Sequence, residues 1–264
     1  MKKLFLLIFI SSVAFSQVEK KLSVTYVAND GFLLSCDGKN ILIDALYNQS
    51  FGKYDPPSDD LISKIENGDK PFDKVDLYLV THNHGDHFYM PYVAGFLEHH
   101  KKTLLVSSNE VGDQFRNESK LKDQVKNISL ELGASVDTVL NGIPLKIFRL
   151  KHLRDTTGTR ISNYAFLINM NGVKILHPGD ITFEWDESLL EKFNLGKEKI
   201  DVLFSPYFDL SETSIKFINE VIKPKHIIAM HIPPKDFQVE SKNFLKAFTG
   251  GIVFEKPMEM KIIK

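Results

Sequence analysis

The sequence predicts an α+β fold in which two layers of β-sheet form the core and helices cover their outer faces. Three observations support this prediction: short apolar runs rich in β-branched residues, segments of helical spacing between them, and an ordinary globular composition. The 264 residues are 43% hydrophobic and 25% charged, so the chain is able to bury a full core.

The candidate strands recur along the chain after residue 20, and both halves of the chain run from several strands into helices, which suits the two-layer core. The apolar runs that predict strands are Leu22–Val27, Phe32–Ser35, Ile41–Asp44, Val75–Val80, Thr103–Val106, Ile143–Leu150, Tyr164–Ile168, Val173–Ile175, Val202–Phe204 and Ile227–Met230.

Helical spacing predicts helices over Tyr92–Lys101, Asp186–Phe193 and Ser211–Val221. The serine that opens the third segment is a candidate N-cap. The segment Asn48–Pro71 contains prolines, glycines and several aspartates, which predicts a long surface loop with one short helix.

The charge balance is even, with 33 basic and 34 acidic residues and a formal net charge of −1. Neither sign forms long runs. The sequence therefore lacks the basic surface that a nucleic-acid partner would require, and we expect a small-molecule substrate instead.

The N-terminus has the layout of a secretory signal peptide. Two lysines precede the apolar run Leu4–Ile10, and the small residues Ala14 and Ser16 stand before Gln17, where signal peptidase would cut. The alternative, a membrane anchor, would need an apolar run of about 20 residues. We expect residues 1–16 to be removed and residues 17–264 to form one exported domain, periplasmic or secreted, without a membrane anchor.

The single cysteine, Cys36, excludes a disulfide within the chain. It lies in an apolar stretch, which favours a buried thiol over a nucleophile.

The segment Val80-Thr81-His82-Asn83-His84-Gly85-Asp86-His87 places three histidines and an aspartate within six positions after a predicted strand. Imidazole and carboxylate groups are the donors that zinc accepts where no thiolate is available. His82 and His84 alternate in extended backbone and point to one side, while Gly85 allows the turn that brings Asp86 and His87 round. The alternative, a polar loop, would require three of the nine histidines to cluster by chance.

This segment matches the His-x-His-x-Asp-His motif of the metallo-β-lactamase superfamily, which it closely resembles. The stretches Gly31–Leu34 and Ile41–Asp44 are similar to the opening strands of these proteins, so the resemblance covers nearly the whole mature chain. It implies a four-layer αββα sandwich and three further metal ligands from later loops, which His152, Asp180 and His231 match in order.

The resemblance implies a binuclear site in which a water between the ions, bound as hydroxide, is the nucleophile. The first metal would be held by His82, His84 and His152, and the second by Asp86, His87 and His231, with Asp180 bridging. Asp86 and Asp180 are the predicted catalytic carboxylates, and their joint presence favours two metals over one. Two zinc ions are expected, although the same donors suit manganese or iron.

Asp44 and His177 are predicted around this ligand set. In the family an aspartate at the place of Asp44 supports a metal ligand, and capping of a loop at the strand end is an equal alternative. His177 is interpreted as a structural residue or as a support for the ligands. His99, His100 and His226 are expected at the surface.

Within the superfamily the pattern resembles ascorbate-phosphate lactonase-like proteins and phosphodiesterases related to N-acyl-phosphatidylethanolamine phospholipase D. It resembles β-lactamases less, because Asp180 stands where their commonest class has a cysteine. The expected reaction is hydrolysis of a lactone, an ester or a phosphodiester. By position, the candidate substrate contacts are Tyr89, Arg154 and Tyr207, with Phe88 and Phe208; the alternative for the aromatic residues is coverage of the core edge.

Two other functions remain open from the sequence. One is an exported protein of the same fold that binds a metal or ligand without catalysis, and the other is a mononuclear iron dioxygenase.

Overall fold

A computed structural model describes residues 21–155 and 157–264 of the chain. The expected signal peptide, residues 1–16, lies outside the described residues. In chain order the strands are β1 (Leu22–Ala28), β2 (Gly31–Cys36), β3 (Lys39–Ile43), β4 (Leu77–Leu79), β5 (Leu104–Ser108), β6 (Val125–Ile128), β7 (Ser135–Leu140), β8 (Ile143–Leu150), β9 (Asn163–Met170), β10 (Val173–His177), β11 (Val202–Pro206), β12 (His226–Met230) and β13 (Met260–Ile263). The α-helices are α1 (Asp59–Asn67), α2 (Met90–His99), α3 (Asn109–Gly112), α4 (Phe183–Lys192), α5 (Glu212–Phe217) and α6 (Phe237–Ala247).

The strands form two sheets, of seven strands in the order β13-β1-β2-β3-β4-β5-β6 and of six in the order β12-β11-β10-β9-β8-β7. In the first sheet β1 to β3 pair antiparallel and β3 to β6 pair parallel. In the second, β7 to β10 pair antiparallel and β10 to β12 pair parallel. The parallel pairs need helical crossovers, which accounts for the position of the helices.

Three apolar clusters separate four layers. The cluster between the sheets includes Phe32 and Phe204, whose ring centroids are 4.7 Å apart. A second cluster packs α1 and α2 on the first sheet, and a third packs α4, α5 and α6 on the second sheet. The fold is therefore the four-layer αββα sandwich that the sequence predicts. Cys36 lies in the central cluster, where its Sγ is 3.6 Å from the carbonyl oxygen of Met170.

The predicted strands and helices are all present, with boundaries shifted by a few residues. The structure adds β6, β7, β13, α3 and α6. Strand β7 lies at the edge of its sheet and none of its residues is fully buried, so it lacks the apolar run by which inner strands were recognised. The segment predicted from Ser211 begins as α5 with Ser211 as its N-cap, and it continues as a π-helical turn over Ile218–Ile222.

Strands β1, β3 and β4 run in one direction in the first sheet, as do β8, β10 and β12 in the second, so the loops that follow each set gather at one edge. Two backbone hydrogen bonds join these edges: Tyr164 N–H donates to Thr81 O at 2.8 Å, and His231 N–H donates to Asn29 O at 3.4 Å. The predicted site residues lie in these loops. Within the described ranges, no helix combines the length and apolar character that a membrane span requires.

Candidate metal centre

Three predicted histidines form a first group of donors. His82 Nε2 lies 3.0 Å from His84 Nδ1, and the ring of His152 lies 4.6 Å from that of His82 and 4.5 Å from that of His84. One donor atom from each residue lies within 4.8 Å of the others. His152 follows β8, whereas His82 and His84 follow β4, so the group spans both sheets.

The second donor group contains His87, Asp180 and His231. His87 Nε2 lies 3.4 Å from Asp180 Oδ1, and His231 Nε2 lies 3.0 Å from Asp180 Oδ2. Asp180 Oδ2 is also 3.6 Å from His152 Nε2 in the first group. Asp180 therefore lies between the two groups.

Asp86 lies at the margin of the second group. Its carboxylate oxygens are 4.0 Å from His87 Nε2 and 3.7 Å from His231 Nε2, and its side chain also faces the open cleft. Asn29 Nδ2 donates to the carbonyl oxygen of Asp86 at 3.2 Å. The structure thus brings all seven predicted residues together.

Asp44 supports two of the histidines. Its carboxylate accepts hydrogen bonds from Thr81 N–H at 2.8 Å, from Thr81 Oγ1 at 2.6 Å and from His87 Nδ1 at 2.9 Å. Because Thr81 Oγ1 donates to Asp44, it accepts from His82 Nδ1, 3.0 Å away. Protonation at Nδ1 leaves the Nε2 lone pairs of His82 and His87 directed into the site, which is the arrangement of carboxylate-supported metal histidines.

Several buried polar atoms of the site have no hydrogen-bond partner among the described residues. They are His87 Nε2, His152 Nε2, Asp180 Oδ1 and both carboxylate oxygens of Asp30. Buried polar groups are ordinarily paired, because an unpartnered group is destabilising. Divalent cations would pair with these atoms, so the residues present fit a metal centre.

Burial and the neighbouring charged groups together determine the pKa values of the imidazoles at the site. Burial, together with the neighbouring His152, lowers the pKa of His84 to about 4, so His84 is neutral and able to donate its lone pair near pH 7. Burial also disfavours the charged form of His231, but the Asp180 and Asp30 carboxylates outweigh it and raise the pKa of His231 to about 9.

Asp30 is the site residue that sequence reasoning missed. It lies in the turn between β1 and β2, is fully buried, and belongs to the second donor group with His87, Asp180 and His231. Nothing around Asp30 in the sequence resembles a ligand motif. The only local signal was the following glycine, since a Cβ at Gly31 would lie 2.9 Å from Ala45 Cα, which indicates a close backbone approach at this turn.

His177 contacts this turn. Its Nε2 donates to the carbonyl oxygen of Asp30 at 3.3 Å, and its ring packs against Phe204. Burial lowers the pKa of His177 to about 4, so the ring is neutral. His177 is not a member of either donor group.

The other histidines lie away from the centre. His99 is exposed, as expected, whereas His226 is half-buried and its Nε2 donates to Lys264 O at 2.9 Å. His100 departs further from the surface position expected for it. Its ring stacks on Phe96 at 4.1 Å and donates to the carbonyl oxygen of Ile65, because α1 and α2 pack together there.

A cleft of about 570 Å³ opens onto the donor groups. Arg154, Tyr207 and Phe208 line it, as predicted by position. Phe88 is instead buried in the cluster under α2, and Tyr89, whose ring packs against Tyr92, is not among the residues that line the cleft. Phe88 thus covers the core, the alternative given for it, because the chain turns into α2 directly after the motif.

The segment predicted as a surface loop supplies one wall of this cleft. Phe51, Lys53 and Tyr54 line it, and the Tyr54 ring lies 4.2 Å from the His231 ring. Lys53 Nζ donates to Tyr207 Oη at 3.1 Å across the cleft. Sequence reasoning recognised the loop but not its contact with the site, since that contact joins residues far apart in the chain.

Backbone conformation at the site is unusual. Asp44, Arg154 and His231 have φ values of 44°, 65° and 65°, a left-handed conformation that non-glycine residues adopt rarely. Such strain is retained where surrounding contacts over-determine it, which is common at functional sites.

The fold and the two donor groups define a metalloprotein whose centre lies where the edges of two sheets meet. Residues 23–231 match the sequence model of the β-lactamase superfamily domain. The chain therefore belongs to the metallo-β-lactamase superfamily.

Three relatives illustrate the similarity. A metal-dependent hydrolase of Pyrococcus furiosus is 25% identical over 243 residues, which cover 89% of this chain and 97% of the relative. The metallo-β-lactamase fold protein YhfI of Bacillus subtilis superposes with a TM-score of 0.61 at 16% identity, covering 92% of this chain and 100% of YhfI. CmlA of Streptomyces venezuelae, a diiron β-hydroxylase, superposes with a TM-score of 0.57 at 14% identity over 93% of this chain and 54% of CmlA.

Proposed function

We propose that the protein is a hydrolase with two metal ions, zinc by preference, and that it cleaves a lactone, an ester or a phosphodiester. The observation that carries the proposal is the position of Asp180, whose carboxylate lies within 3.6 Å of His152 in one donor group and within 3.0 Å of His231 in the other. A carboxylate shared between two donor groups suits two adjacent ions better than one.

In this proposal His82, His84 and His152 hold one ion, while Asp86, His87 and His231 hold the other. Bound metal would supply Lewis-acid polarisation of the scissile group and a nucleophilic water at neutral pH. The chain contributes fixed donors, because Asp44 and Thr81 hold the imidazoles of His82 and His87 in the binding tautomer.

The cleft supports an anionic substrate. Two cationic side chains, Lys53 and Arg154, line it beside the donor groups, and guanidinium pairs well with carboxylate or phosphate. The rings of Tyr54 and Phe208, which pack against His231, offer an apolar surface for the rest of the molecule. We therefore favour a lactone or phosphodiester that carries a negative charge.

The test is metal analysis combined with a substrate screen on the same sample. Protein purified without added metal should contain about two zinc ions per chain, and a chelator should abolish hydrolysis of lactones, esters or phosphodiesters. Bound metal without turnover of any substrate would favour the non-catalytic binding protein. A single iron with oxygen uptake would favour the dioxygenase; the likeness to CmlA, at 14% identity, concerns the fold alone.

Substitution of the donors provides the second test. His84→Ala and Asp180→Ala should each reduce turnover at least a hundredfold without unfolding the protein, because each removes a metal donor. His99→Ala, which changes an exposed histidine on α2, is the matched control and should retain full activity. Wild-type turnover in either donor variant would contradict the assignment.

We also propose that the protein is exported. The lysines and the apolar run at the N-terminus support this proposal. N-terminal sequencing of the protein recovered from the periplasm or medium should begin near Gln17, and recovery of an uncleaved cytoplasmic chain would contradict it.

A further inference from the structure

The turn between β1 and β2 places a second, unassigned carboxylate inside the metal centre. Asp30 has no exposed surface, and one of its oxygens lies within 4.8 Å of the donor atoms of His87, Asp180 and His231. Its Oδ2 is 3.9 Å from His87 Nε2. The side chain therefore points into the second donor group.

Comparison with Asp44 shows that Asp30 is not an ordinary buried aspartate. Both side chains are fully buried, but Asp44 accepts hydrogen bonds from Thr81 N, Thr81 Oγ1 and His87 Nδ1. Neither oxygen of Asp30 accepts a hydrogen bond from any described residue, and no lysine or arginine of the described ranges forms an ion pair with it. A buried carboxyl group in this condition either takes up a proton or binds a cation.

Contacts with neighbouring segments hold the backbone around Asp30 in place. His177 donates to its carbonyl oxygen, His231 N–H donates to the carbonyl oxygen of Asn29, and Gly31 packs closely against Ala45. Contacts from both sheets thus hold the turn on which the carboxylate stands.

We propose that Asp30 is an additional ligand of the second metal ion, so that this ion is held by three carboxylates and two imidazoles. This inference rests on the two-metal centre proposed above, but not on the hydrolysis of any substrate. The first ion would be held by imidazoles, whereas most donors of the second would be carboxylates. The position of the second ion therefore suits manganese or ferrous iron better than the position of the first ion does.

The test compares Asp30→Asn with the wild type by isothermal titration of the metal-free protein with zinc and, separately, with manganese, followed by elemental analysis. The wild type should bind two ions per chain. Asp30→Asn should retain the first ion and bind the second about ten to a hundred times more weakly. Asp76→Asn, which makes the same change at the opposite end of β4, is the matched control and should bind both ions as the wild type does.

Thermal unfolding of the metal-free proteins separates a ligand from a structural carboxylate. Asp30→Asn should raise the unfolding temperature without metal, because it replaces one of two buried carboxyl groups that lie beside each other, Asp30 and Asp180, with a neutral amide, and should reduce the stabilisation that metal provides. A lower unfolding temperature without metal, or wild-type binding of both ions by Asp30→Asn, would overturn the inference.

A crystal structure of the zinc-loaded wild type gives a result that does not depend on how any variant folds. A distance of about 2.0–2.2 Å between an Asp30 oxygen and the second ion would support the inference, since that is the range of zinc–carboxylate bonds. Two bound ions with Asp30 beyond bonding distance would overturn the inference and leave the proposed function intact. A single ion would instead contradict the two-metal centre itself.

Discussion

At the residue scale, hydrogen bonds to Thr81 and Asp44 fix the orientation of two imidazoles of the site. One hydroxyl accepts from His82 and donates to Asp44, and the same carboxylate holds His87. Each imidazole therefore presents its Nε2 lone pair. Hydrogen-bond partners of metal-binding histidines typically increase metal affinity about ten- to a hundredfold.

Thr81→Val should weaken zinc binding about tenfold, because valine has nearly the same shape but cannot join His82 to Asp44. Competition with a chromogenic chelator measures the affinity. Thr103→Val is the control, since the Thr103 hydroxyl donates to Val75 O at the far end of the same sheet. Equal affinities for the two variants would show that the hydroxyl does not order the ligands.

At the scale of elements, the loop before α1 and the helix itself perform separate tasks. The loop supplies Phe51, Lys53 and Tyr54 to the cleft, whereas α1 buries Leu61, Ile62 and Ile65 against the first sheet. Substitutions in the loop should therefore change substrate binding, and substitutions at the helix start should change stability.

Lys53→Met should raise the KM for an anionic substrate about tenfold and leave kcat within a factor of two, because it removes a charge-assisted hydrogen bond outside the donor groups. Steady-state kinetics with a charged and an uncharged ester provides the measurement. The uncharged ester is the internal control, and an equal effect on both substrates would contradict electrostatic recognition.

Ser58→Ala should lower the free energy of unfolding by about 1 kcal/mol, since Ser58 Oγ accepts from Leu61 N at 3.3 Å as the N-cap of α1. Urea denaturation of the metal-loaded protein measures the change. Metal content should remain that of the wild type, and a loss of metal would indicate that α1 also orders the site.

At the scale of the whole molecule, stability should depend on pH through Asp186. This carboxyl belongs to a buried residue of α4, and its Oδ1 accepts from Lys151 N at 3.3 Å. Burial raises its pKa to about 7, above the ordinary value of 3.8. Because the pKa of this carboxyl is higher in the folded protein than in the unfolded chain, its protonated form stabilises the fold. This contribution to stability is complete below about pH 4 and is lost as pH rises through about 7.

Asp186→Asn should therefore increase the unfolding temperature of the metal-free protein more at pH 8 than at pH 5. Thermal denaturation across this range measures the difference. A gain that is the same at both values would mean that Asp186 does not titrate between them.

Much of the fold and of the site could be predicted from the sequence alone. Apolar runs located the inner strands, because strands buried on both faces must be apolar along their length. The His82–His87 segment was recognisable because its donors lie within six positions. His152, Asp180 and His231 were recovered only because each follows an apolar strand in the order that a known family uses.

Features that depend on contacts between distant segments could be recognised only in the folded protein. The edge strand β7 and helix α6 bury little and so leave a weak pattern in the sequence. Asp30, His87, Asp180 and His231 come from four loops of two sheets, and the sequence around Asp30 has no ligand motif, only the glycine that follows it. The cleft wall from Phe51 to Tyr54 could not be predicted either, because an apolar pattern indicates which residues are buried but not which distant loop lies beside them.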